Sequence, residues 1–279
     1  VPAPDVNTSG QIMSWMVEEY WKLKGEQNLG VITGKPVGFG GSKGRGEATG
    51  FGVAVVAREV AKKLGIDIAN SKVAIQGFGK VGSFTVKHVQ KQGATIVAIG
   101  EWDKDFGTYA LYNEEGIDFD ELLAYKAEHK SILDYPKAKR ISLDEFWGLD
   151  VDIMIPAAME NAIREKDAEL IKAKLVWEAA NGPTTVQADE IINKRGIIVT
   201  PDILTNAGGV TVSYFEWVQK LYGYYWTEEE VVEKEEVAMV SAFENIWKIV
   251  EEYNVTPRKA AYMHSVKKIS DTMKLRGWY

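Results

Sequence analysis

The clearest structural signal in this chain is Lys72-Val-Ala-Ile-Gln-Gly77-Phe-Gly79-Lys-Val-Gly82. A short apolar run leads into three glycines with the spacing G-x-G-x-x-G, and a segment with helical periodicity then runs to Gln92. This order predicts a buried parallel strand, a tight turn and a helix, which is the context that a dinucleotide-binding turn requires. The first glycine makes the turn, the second lets the pyrophosphate approach the backbone, and the third lets the helix pack on the strand.

An acidic pair follows the next apolar run, residues 95–99, and is the candidate contact for the adenosine ribose. Glu101 follows Gly77 at close to the spacing, roughly 20 residues, at which a carboxylate meets the ribose hydroxyls in this fold. We predict Glu101 for this role and Asp103 as the second choice, although Glu101 could also be a solvated strand end. A carboxylate here repels a 2′-phosphate and favours NAD over NADP, whereas the nearby Lys104 weakens that preference.

Strand-like and helix-like segments alternate in the second half of the chain. Strands are predicted at 152–156, 175–179 and 197–201, with helices at about 160–173 and 185–195 between them. Such alternation is typical of parallel strands covered by helices on both faces. With the two strands beside the glycine turn, it predicts at least five strands in a Rossmann-like, doubly wound α/β sheet.

Helices are predicted to flank this sheet at both ends of the chain. Thr8 or Ser9 can cap a first helix, and the other segments with helical periodicity are 53–64, 117–130, 227–253 and 257–275. Residues 132–140 contain a proline and are predicted to be a connector. The glutamates at 228–230 and 233–236 are interpreted as a solvated helix face.

Glycine-rich and polar loops surround the predicted sheet. Residues 33–52 contain eight glycines, which permit close approach to a ligand but would also suit a flexible loop. The loops that begin at Pro156, Asn181 and Asn206 each follow a predicted strand, where ligands of open α/β sheets bind. Taken singly, each is an ordinary turn. Together they predict one rim of a binding site.

Composition excludes several classes of function. The net charge is −7 and no long basic run occurs, which argues against a nucleic-acid partner. The chain has no cysteine and only three widely separated histidines, so no metal site is expected. The apolar runs are too short to span a bilayer and no signal peptide is visible, so we expect a cytoplasmic protein with no membrane partner.

Several strings together resemble the cofactor-binding half of hexameric glutamate dehydrogenases, within the glutamate, leucine, phenylalanine and valine dehydrogenase family. The archaeal and thermophilic bacterial branch is the most similar in style. The resemblance extends over essentially the whole chain and rests on five strings: Pro2-Ala-Pro-Asp5, Gly40-Gly-Ser-x-Gly-Arg-x-Glu47-Ala-Thr-Gly50, Gly77-Phe-Gly-x-Val-Gly82, Glu178-Ala-Ala-Asn-Gly182-Pro and Asn206-Ala-Gly-Gly-Val-x-Val-Ser213-Tyr-Phe-Glu216-Trp.

The resemblance implies reversible oxidative deamination of L-glutamate to 2-oxoglutarate and ammonia. Asp5 then matches the catalytic aspartate, which moves protons to and from the substrate nitrogen, although on local evidence it could be only a turn acid. Ser213 matches the hydroxyl that binds the γ-carboxylate of glutamate, and Asn206 lines the substrate. The implied cofactor is NAD or NADP, with NAD favoured. The implied cofactor-binding residues are Thr49, Gly77, Phe78, Gly79, Lys80, Val81, Gly82, Glu101, Ala157, Ala158, Asn181 and Asn206.

The sequence departs from the family pattern in two places. Lys80 stands where the family commonly has a small polar residue, and the segment 100–106 replaces a shorter pattern after the second strand. The pyrophosphate contact at Lys80 and the choice between NAD and NADP therefore depend on the structure around these residues.

The predicted organisation has three parts. Residues 1–30 form an inter-domain helix that carries the catalytic acid, 31–225 form the dinucleotide-binding domain, and 226–279 form C-terminal helices that pack toward a substrate domain. The family carries that substrate domain before the point where this chain begins, so we expect dinucleotide binding but little activity from this chain alone. The resemblance implies a homo-hexamer for the full-length protein.

Two other functions remain open at this stage. The chain could be the cofactor domain of a dehydrogenase for branched-chain or aromatic amino acids, although a Ser213 hydroxyl left unpaired against an apolar side chain costs about 1–3 kcal/mol. It could also be a non-catalytic nucleotide-binding module.

Overall fold

The computed structural model describes residues 1–5 and 7–278, and the chain folds there around one seven-stranded sheet of order β4-β3-β2-β1-β5-β6-β7. Strands β2, β1, β5, β6 and β7 are parallel, whereas β3 and β4 add an antiparallel edge. This arrangement confirms the predicted doubly wound, mostly parallel α/β fold. The strands are β1 Lys72–Gln76, β2 Thr95–Asp103, β3 Gly107–Tyr112, β4 Lys139–Ile141, β5 Ile153–Pro156, β6 Leu175–Trp177 and β7 Ile198–Thr200.

Eleven α-helices surround the sheet in the described part of the chain. Several begin where the sequence supplies a capping side chain, such as Ser9, Thr227 and Thr256. The helices are α1 Gly10–Lys24, α2 Ala48–Leu64, α3 Lys80–Lys91, α4 Phe119–His129, α5 Leu143–Trp147, α6 Glu165–Leu170, α7 Val186–Lys194, α8 Asp202–Thr205, α9 Gly208–Tyr222, α10 Glu228–Tyr253 and α11 Pro257–Leu275. Among the described residues, none of these helices is both long and apolar enough to cross a membrane.

Two apolar layers cover the faces of the sheet. Val73 and Ile75 of β1 face a layer formed by α2, α3, α4 and α10, whereas Ala74 faces a layer formed by α5, α6 and α7. Successive side chains of a strand point to opposite faces, so a strand buried on both faces must be apolar throughout. The uninterrupted run in β1 therefore places this strand at the centre of the fold.

The strand order reverses next to β1, which pairs with β2 on one side and β5 on the other. The connections from β1 and β5 consequently leave the sheet in opposite directions and open a crevice between them. Ligands of open α/β sheets bind in such a crevice. The glycine turn after β1 and the Ala157–Ala158 loop after β5 meet at this point of the sheet.

Three predicted elements differ from the structure. The segment after residue 99 continues β2 to Asp103 and turns back as β3, and the predicted connector at 132–140 ends in β4. Helix α6 is shorter than predicted because Asn161 adopts a positive φ of 53° and Ile163 forms a bridge with Thr184. The positive φ and the bridge together keep residues 160–164 out of the helix.

Candidate functional site

The glycine turn has the geometry that its three glycines predict. Gly77 has a φ of 98°, and a Cβ there would lie 3.0 Å from the carbonyl of Ala157. A Cβ on Gly82 would lie 1.9 Å from the carbonyl oxygen of Gly77, so α3 packs on the turn without room for a side chain. A Cβ on Gly79 would meet open space. The backbone at Gly79 is therefore accessible to a ligand at the start of α3.

Glu101 lies beside this turn, as the spacing predicted. One carboxylate oxygen of Glu101 accepts a hydrogen bond from the backbone N–H of Phe78 at 3.0 Å. The Lys126 ammonium lies 3.7 Å from the same oxygen and donates to the Phe78 carbonyl at 2.7 Å. Glu101 and Gly79 also line a cleft of about 530 Å³, together with Trp102, Asp103, Lys104, Asp105, Lys126, His129, Lys130, Ser131 and Ile132.

Asp103, the second choice for the ribose acid, organises the hairpin between β2 and β3. Its carboxylate accepts backbone N–H groups from Asp105 at 2.9 Å and Phe106 at 3.2 Å, and the Ser131 hydroxyl at 2.9 Å. The hydrogen bonds from Asp105 and Ser131 hold the pKa of Asp103 below its ordinary value. Both carboxylates line the cleft, but of the two only Glu101 is hydrogen-bonded to the glycine turn, through the Phe78 N–H.

Helices α2 and α9 cross at glycines. A Cβ on Gly52 would lie 2.9 Å from the Cα of Gly208, and a Cβ on Gly209 would lie 2.4 Å from the Thr49 hydroxyl. Only glycines allow the two helices to approach this closely. The crossing brings Thr49, at the start of α2, against the first turn of α9, and Ser213 lies in the next turn of α9.

Arg45 lies in the same region and was not among the predicted site residues. Its Nε donates to the Ser213 hydroxyl at 2.8 Å, and that hydroxyl donates to the Gly209 carbonyl at 3.0 Å. Burial lowers the pKa of Arg45, although the charges of Glu216 and Glu235 oppose this shift. The sequence offered one indication of this role, because Arg45 is the only arginine in the stretch 33–52 and stands between two glycines.

Lys80 lies on the approach to the glycine turn. Desolvation and then the neighbouring positive charge of Arg45 lower the pKa of Lys80, although much of its side chain remains exposed. Lys80 and Arg45 are therefore near enough for their positive charges to repel each other. The region around the two cations can attract an anionic ligand.

The glycine-rich stretch 33–52 is held in place by a buried ion pair. The Lys35 ammonium lies 2.6 Å from the Glu216 carboxylate of α9, and each side chain is 1% exposed. Glu216 also accepts the backbone N–H groups of Gly34 at 2.9 Å and Ser42 at 3.5 Å. A buried charge needs such partners, and together they hold the stretch against α9. The alternative interpretation as a flexible loop is therefore wrong.

Asp5 is exposed, and its backbone is held in a turn with Thr8. The Asp5 N–H donates to the Thr8 hydroxyl at 2.6 Å, and the Thr8 N–H donates to the Asp5 carbonyl at 3.0 Å. Pro4 packs against Gly34, where a Cβ would lie 2.3 Å from the proline ring. Because Gly34 is hydrogen-bonded to Glu216, these contacts tie the backbone at Asp5 to α9.

The loops after β6 and β7 meet each other. The Asn206 amide donates to the Asn181 side-chain oxygen at 2.6 Å, and the Gly182 N–H donates to the Asp202 carboxylate at 2.8 Å. Parallel strands end at the same edge of a sheet, which explains why residues 25 positions apart come together. Two of the three loops that were predicted to form the rim are thus hydrogen-bonded to each other.

Comparison with known proteins identifies the family. The family model described as glutamate/leucine/phenylalanine/valine dehydrogenase matches residues 40–277. The chain belongs to this family. Among curated relatives, the NAD-specific glutamate dehydrogenase of Clostridioides difficile is 68% identical over 279 residues, and that of Peptoniphilus asaccharolyticus is 60% identical over 280 residues. Both matches cover 100% of this chain and 66% of the relative, so the chain spans about two thirds of their length.

Solved structures agree with this assignment to the dehydrogenase family. The crystal structure of glutamate dehydrogenase from Peptoniphilus asaccharolyticus matches with 56% identity and a TM-score of 0.87, covering 100% of this chain and 66% of that chain. A hetero-hexameric glutamate dehydrogenase from Thermus thermophilus, in a leucine-bound form, matches with 31% identity and a TM-score of 0.91. That match covers 99% of this chain and 64% of the other.

Glu235 of this dehydrogenase-family chain corrects one prediction, because it is not part of a solvated helix face. It is 1% exposed, and its Oε1 has no hydrogen-bond partner among the described residues. This oxygen packs so closely on α9 that a Cβ on Gly208 would lie 2.4 Å from it. Burial raises the pKa of Glu235 to about 8, although the charge of Arg45 opposes the rise.

The Glu235→Gln variant is expected to remove a large pH dependence of stability. The unfolded chain releases this proton near pH 4.5, whereas the folded chain retains it up to about pH 8. The wild type therefore loses stability as pH rises between these values, by about 1.4 kcal/mol per pH unit relative to the variant, and the difference is constant above pH 8. Urea unfolding of both proteins at pH 5, 6, 7 and 9 measures it. Parallel stability curves for the two proteins would contradict the assignment.

Proposed function

We propose that this chain supplies the dinucleotide-binding domain of an NAD-dependent glutamate dehydrogenase, which converts L-glutamate, NAD and water to 2-oxoglutarate, ammonia and NADH. The observation that carries the proposal is the glycine turn, in which Gly77 and Gly82 leave no room for side chains while Gly79 is open. The names of the relatives from C. difficile and P. asaccharolyticus support both the reaction and NAD as the cofactor.

The residues at the crevice fit a dinucleotide. The N–H groups at the start of α3 bind the pyrophosphate beside Gly79, where Phe78, Lys80 and Val81 complete the turn. Glu101 accepts the ribose hydroxyls of the adenosine half and disfavours a 2′-phosphate, which supports NAD over NADP. At the other end of the crevice, the proposed contacts are Thr49 to the carboxamide, Ala157 and Ala158 along the nicotinamide half, and Asn181 and Asn206 to its ribose.

The substrate end combines Ser213, Arg45 and Asp5. A hydroxyl beside a guanidinium suits a carboxylate, so the Arg45–Ser213 pair supports the γ-carboxylate of glutamate over the side chain of an apolar amino acid. Asn206 lies beside the same substrate. Asp5 takes a proton from the substrate ammonium and stabilises the positive charge that develops on the nitrogen. When bound, the nicotinamide ring accepts the hydride from the α-carbon of the substrate.

Fluorescence titration with NADH tests the binding part of this proposal on the chain itself. We expect saturable binding of NADH and weaker binding of NADPH, because the proposed contact of Glu101 with the adenosine ribose would repel a 2′-phosphate. Equal binding of the two would contradict the role of Glu101. Absence of NADH binding would contradict the dinucleotide site and would favour a chain with only a scaffolding role.

Turnover requires a second experiment, because the chain spans two thirds of the length of its relatives. We propose little activity from this chain alone, since hydride transfer needs the two reactants within about 3–3.5 Å and a second positioning surface. Fused to the remaining third of the C. difficile relative, the chain is expected to oxidise glutamate faster than leucine or phenylalanine. A preference for leucine or phenylalanine would instead support the apolar amino-acid dehydrogenase.

The proposed oligomeric state and location of the enzyme are based on the resemblance to the same family. We propose that a protein as long as the relatives forms a homo-hexamer. We also propose a cytoplasmic location. The solved relative from Thermus thermophilus is described as hetero-hexameric, so the choice between one and two kinds of chain is open to measurement. Mass measurement of the fused protein in solution, expressed alone, distinguishes a homo-hexamer from smaller states.

A further inference from the structure

Arg258 joins three acidic residues that come from three different segments. It lies in the first turn of α11, where Thr256 caps the helix and Pro257 begins it. Its guanidinium donates to Glu178 at 2.7 Å and to Asp189 at 3.0 Å, and it lies 3.7 Å from Asp202. A planar guanidinium can contact several carboxylates at once, which an ammonium cannot do with the same geometry.

Glu178 is the buried member of this group, with a side chain that is 0% exposed at the end of β6. Its second carboxylate oxygen accepts the backbone N–H of Asp202 at 3.0 Å. Burial raises the pKa of Glu178, and the hydrogen bond and charge of Arg258 oppose that rise. Arg258 therefore keeps a buried carboxylate paired where it fixes the start of α8.

Asp202 connects this group of charges to the loop after β6, which belongs to the predicted rim. Its carboxylate accepts the Gly182 N–H at 2.8 Å, while the neighbouring Asn181 accepts the amide of Asn206 at 2.6 Å. The loop 181–182 is thus held on one side by Asp202 and on the other by Asn206. Loss of Arg258 would leave Glu178 buried without its cation, and the Asp202 contact to the loop would change with it.

We propose that Arg258 is a positioning residue for the nicotinamide end of the dinucleotide site, acting through Glu178 and Asp202 on the Asn181–Gly182 loop. The proposal rests on the proposed function, because it assumes that this loop contacts the nicotinamide half. It assigns to the C-terminal helix α11 a part in cofactor binding. The adenosine half is proposed to lie at Glu101 and Gly79, and among the described residues no hydrogen bond or ion pair joins either of them to this group of charges.

This separation of the two halves of the site gives the test. AMP probes the adenosine half alone, whereas NADH needs both halves. For Arg258→Gln we expect the Kd for AMP to stay within about twofold and the Kd for NADH to rise about fivefold or more. Arg258→Lys is expected to recover part of the NADH affinity, because it restores the charge without the planar fork. Lys259→Gln, an exposed neighbour on the same helix turn, is the control and should bind both ligands normally.

A second variant distinguishes a positioning role of Arg258 from a folding defect of the Arg258→Gln protein. Asp202→Ala removes the acceptor of the Gly182 N–H but leaves the Arg258–Glu178 pair in place, and it should show the same selective loss of NADH affinity. Thermal unfolding accompanies each titration. Equal weakening of AMP and NADH in the folded variants, or unchanged NADH binding, would overturn the positioning role. Failure of the wild type to bind NADH would instead overturn the proposed function.

Discussion

The Gly82→Ala variant should bind no NADH at concentrations that saturate the wild type. The added Cβ would lie 1.9 Å from the carbonyl oxygen of Gly77 and 2.8 Å from its carbonyl carbon, which are backbone atoms of the turn itself. Backbone atoms cannot turn aside as the end of a flexible side chain can, so the turn must open or α3 must move away. Either movement displaces the N–H groups that we propose bind the pyrophosphate. NADH fluorescence titration measures the loss.

A matched control separates this effect from the general cost of replacing glycine. At Gly38 an added Cβ would meet open space and the backbone has no positive φ, so Gly38→Ala should bind NADH like the wild type. Circular dichroism shows whether Gly82→Ala remains folded. NADH affinity within about twofold of the wild type for a folded Gly82→Ala would contradict the tight packing of the turn.

Replacement of Asp5 by asparagine is expected to have the largest effect on turnover. In the chain fused to the remaining third of the C. difficile relative, Asp5→Asn should lower kcat for glutamate by about 10²–10⁴-fold, because an amide cannot exchange protons with the substrate nitrogen. The backbone hydrogen bonds between Asp5 and Thr8 do not involve the carboxylate and are available to the variant as well. Steady-state rates, together with NADH titration of the same protein, measure the two properties separately.

The expected pattern is therefore a loss of rate without a loss of cofactor affinity. Glu18→Gln, an exposed acid on α1, serves as the control and should retain the wild-type rate. An Asp5→Asn enzyme that keeps more than about a tenth of the wild-type kcat would show that Asp5 is only a turn residue, since proton transfer by a positioned side chain contributes at least 10²-fold.

The centre of the fold could be predicted because its signals are local. The apolar run of β1, the glycine spacing and the periodicity of α3 lie within 20 residues, and each constrains the same strand-turn-helix unit. The edge strand β4 was missed because it has only three residues, two of which are charged, and β3 was missed because its buried run is only Tyr109–Leu111. Helix α6 was overestimated because a non-local bridge to Thr184 holds its predicted first turn in a loop.

The site was predictable only in part, for the same reason. Glu101 follows from its spacing, and the structure places it at the glycine turn. Arg45 is 168 residues from its partner Ser213, and Arg258 is 80 residues from Glu178, so neither contact leaves a local pattern. Glu235 looks like its exposed neighbours in the sequence, and only the crossing of α2, α9 and α10 shows that it is buried.

The short antiparallel margin of the sheet has a consequence for behaviour at high concentration. An exposed edge strand offers unpaired N–H and C=O groups to other chains and can nucleate aggregation. Here the outer strand β4 has only three residues, and two of them, Lys139 and Arg140, place their charges over the rings of Tyr112 and Phe106 at 5.0 Å and 4.8 Å. A short, positively charged edge strand of this kind disfavours pairing with another chain, so the longer strands β3 and β2 next to it are shielded from intermolecular β-sheet growth at this edge.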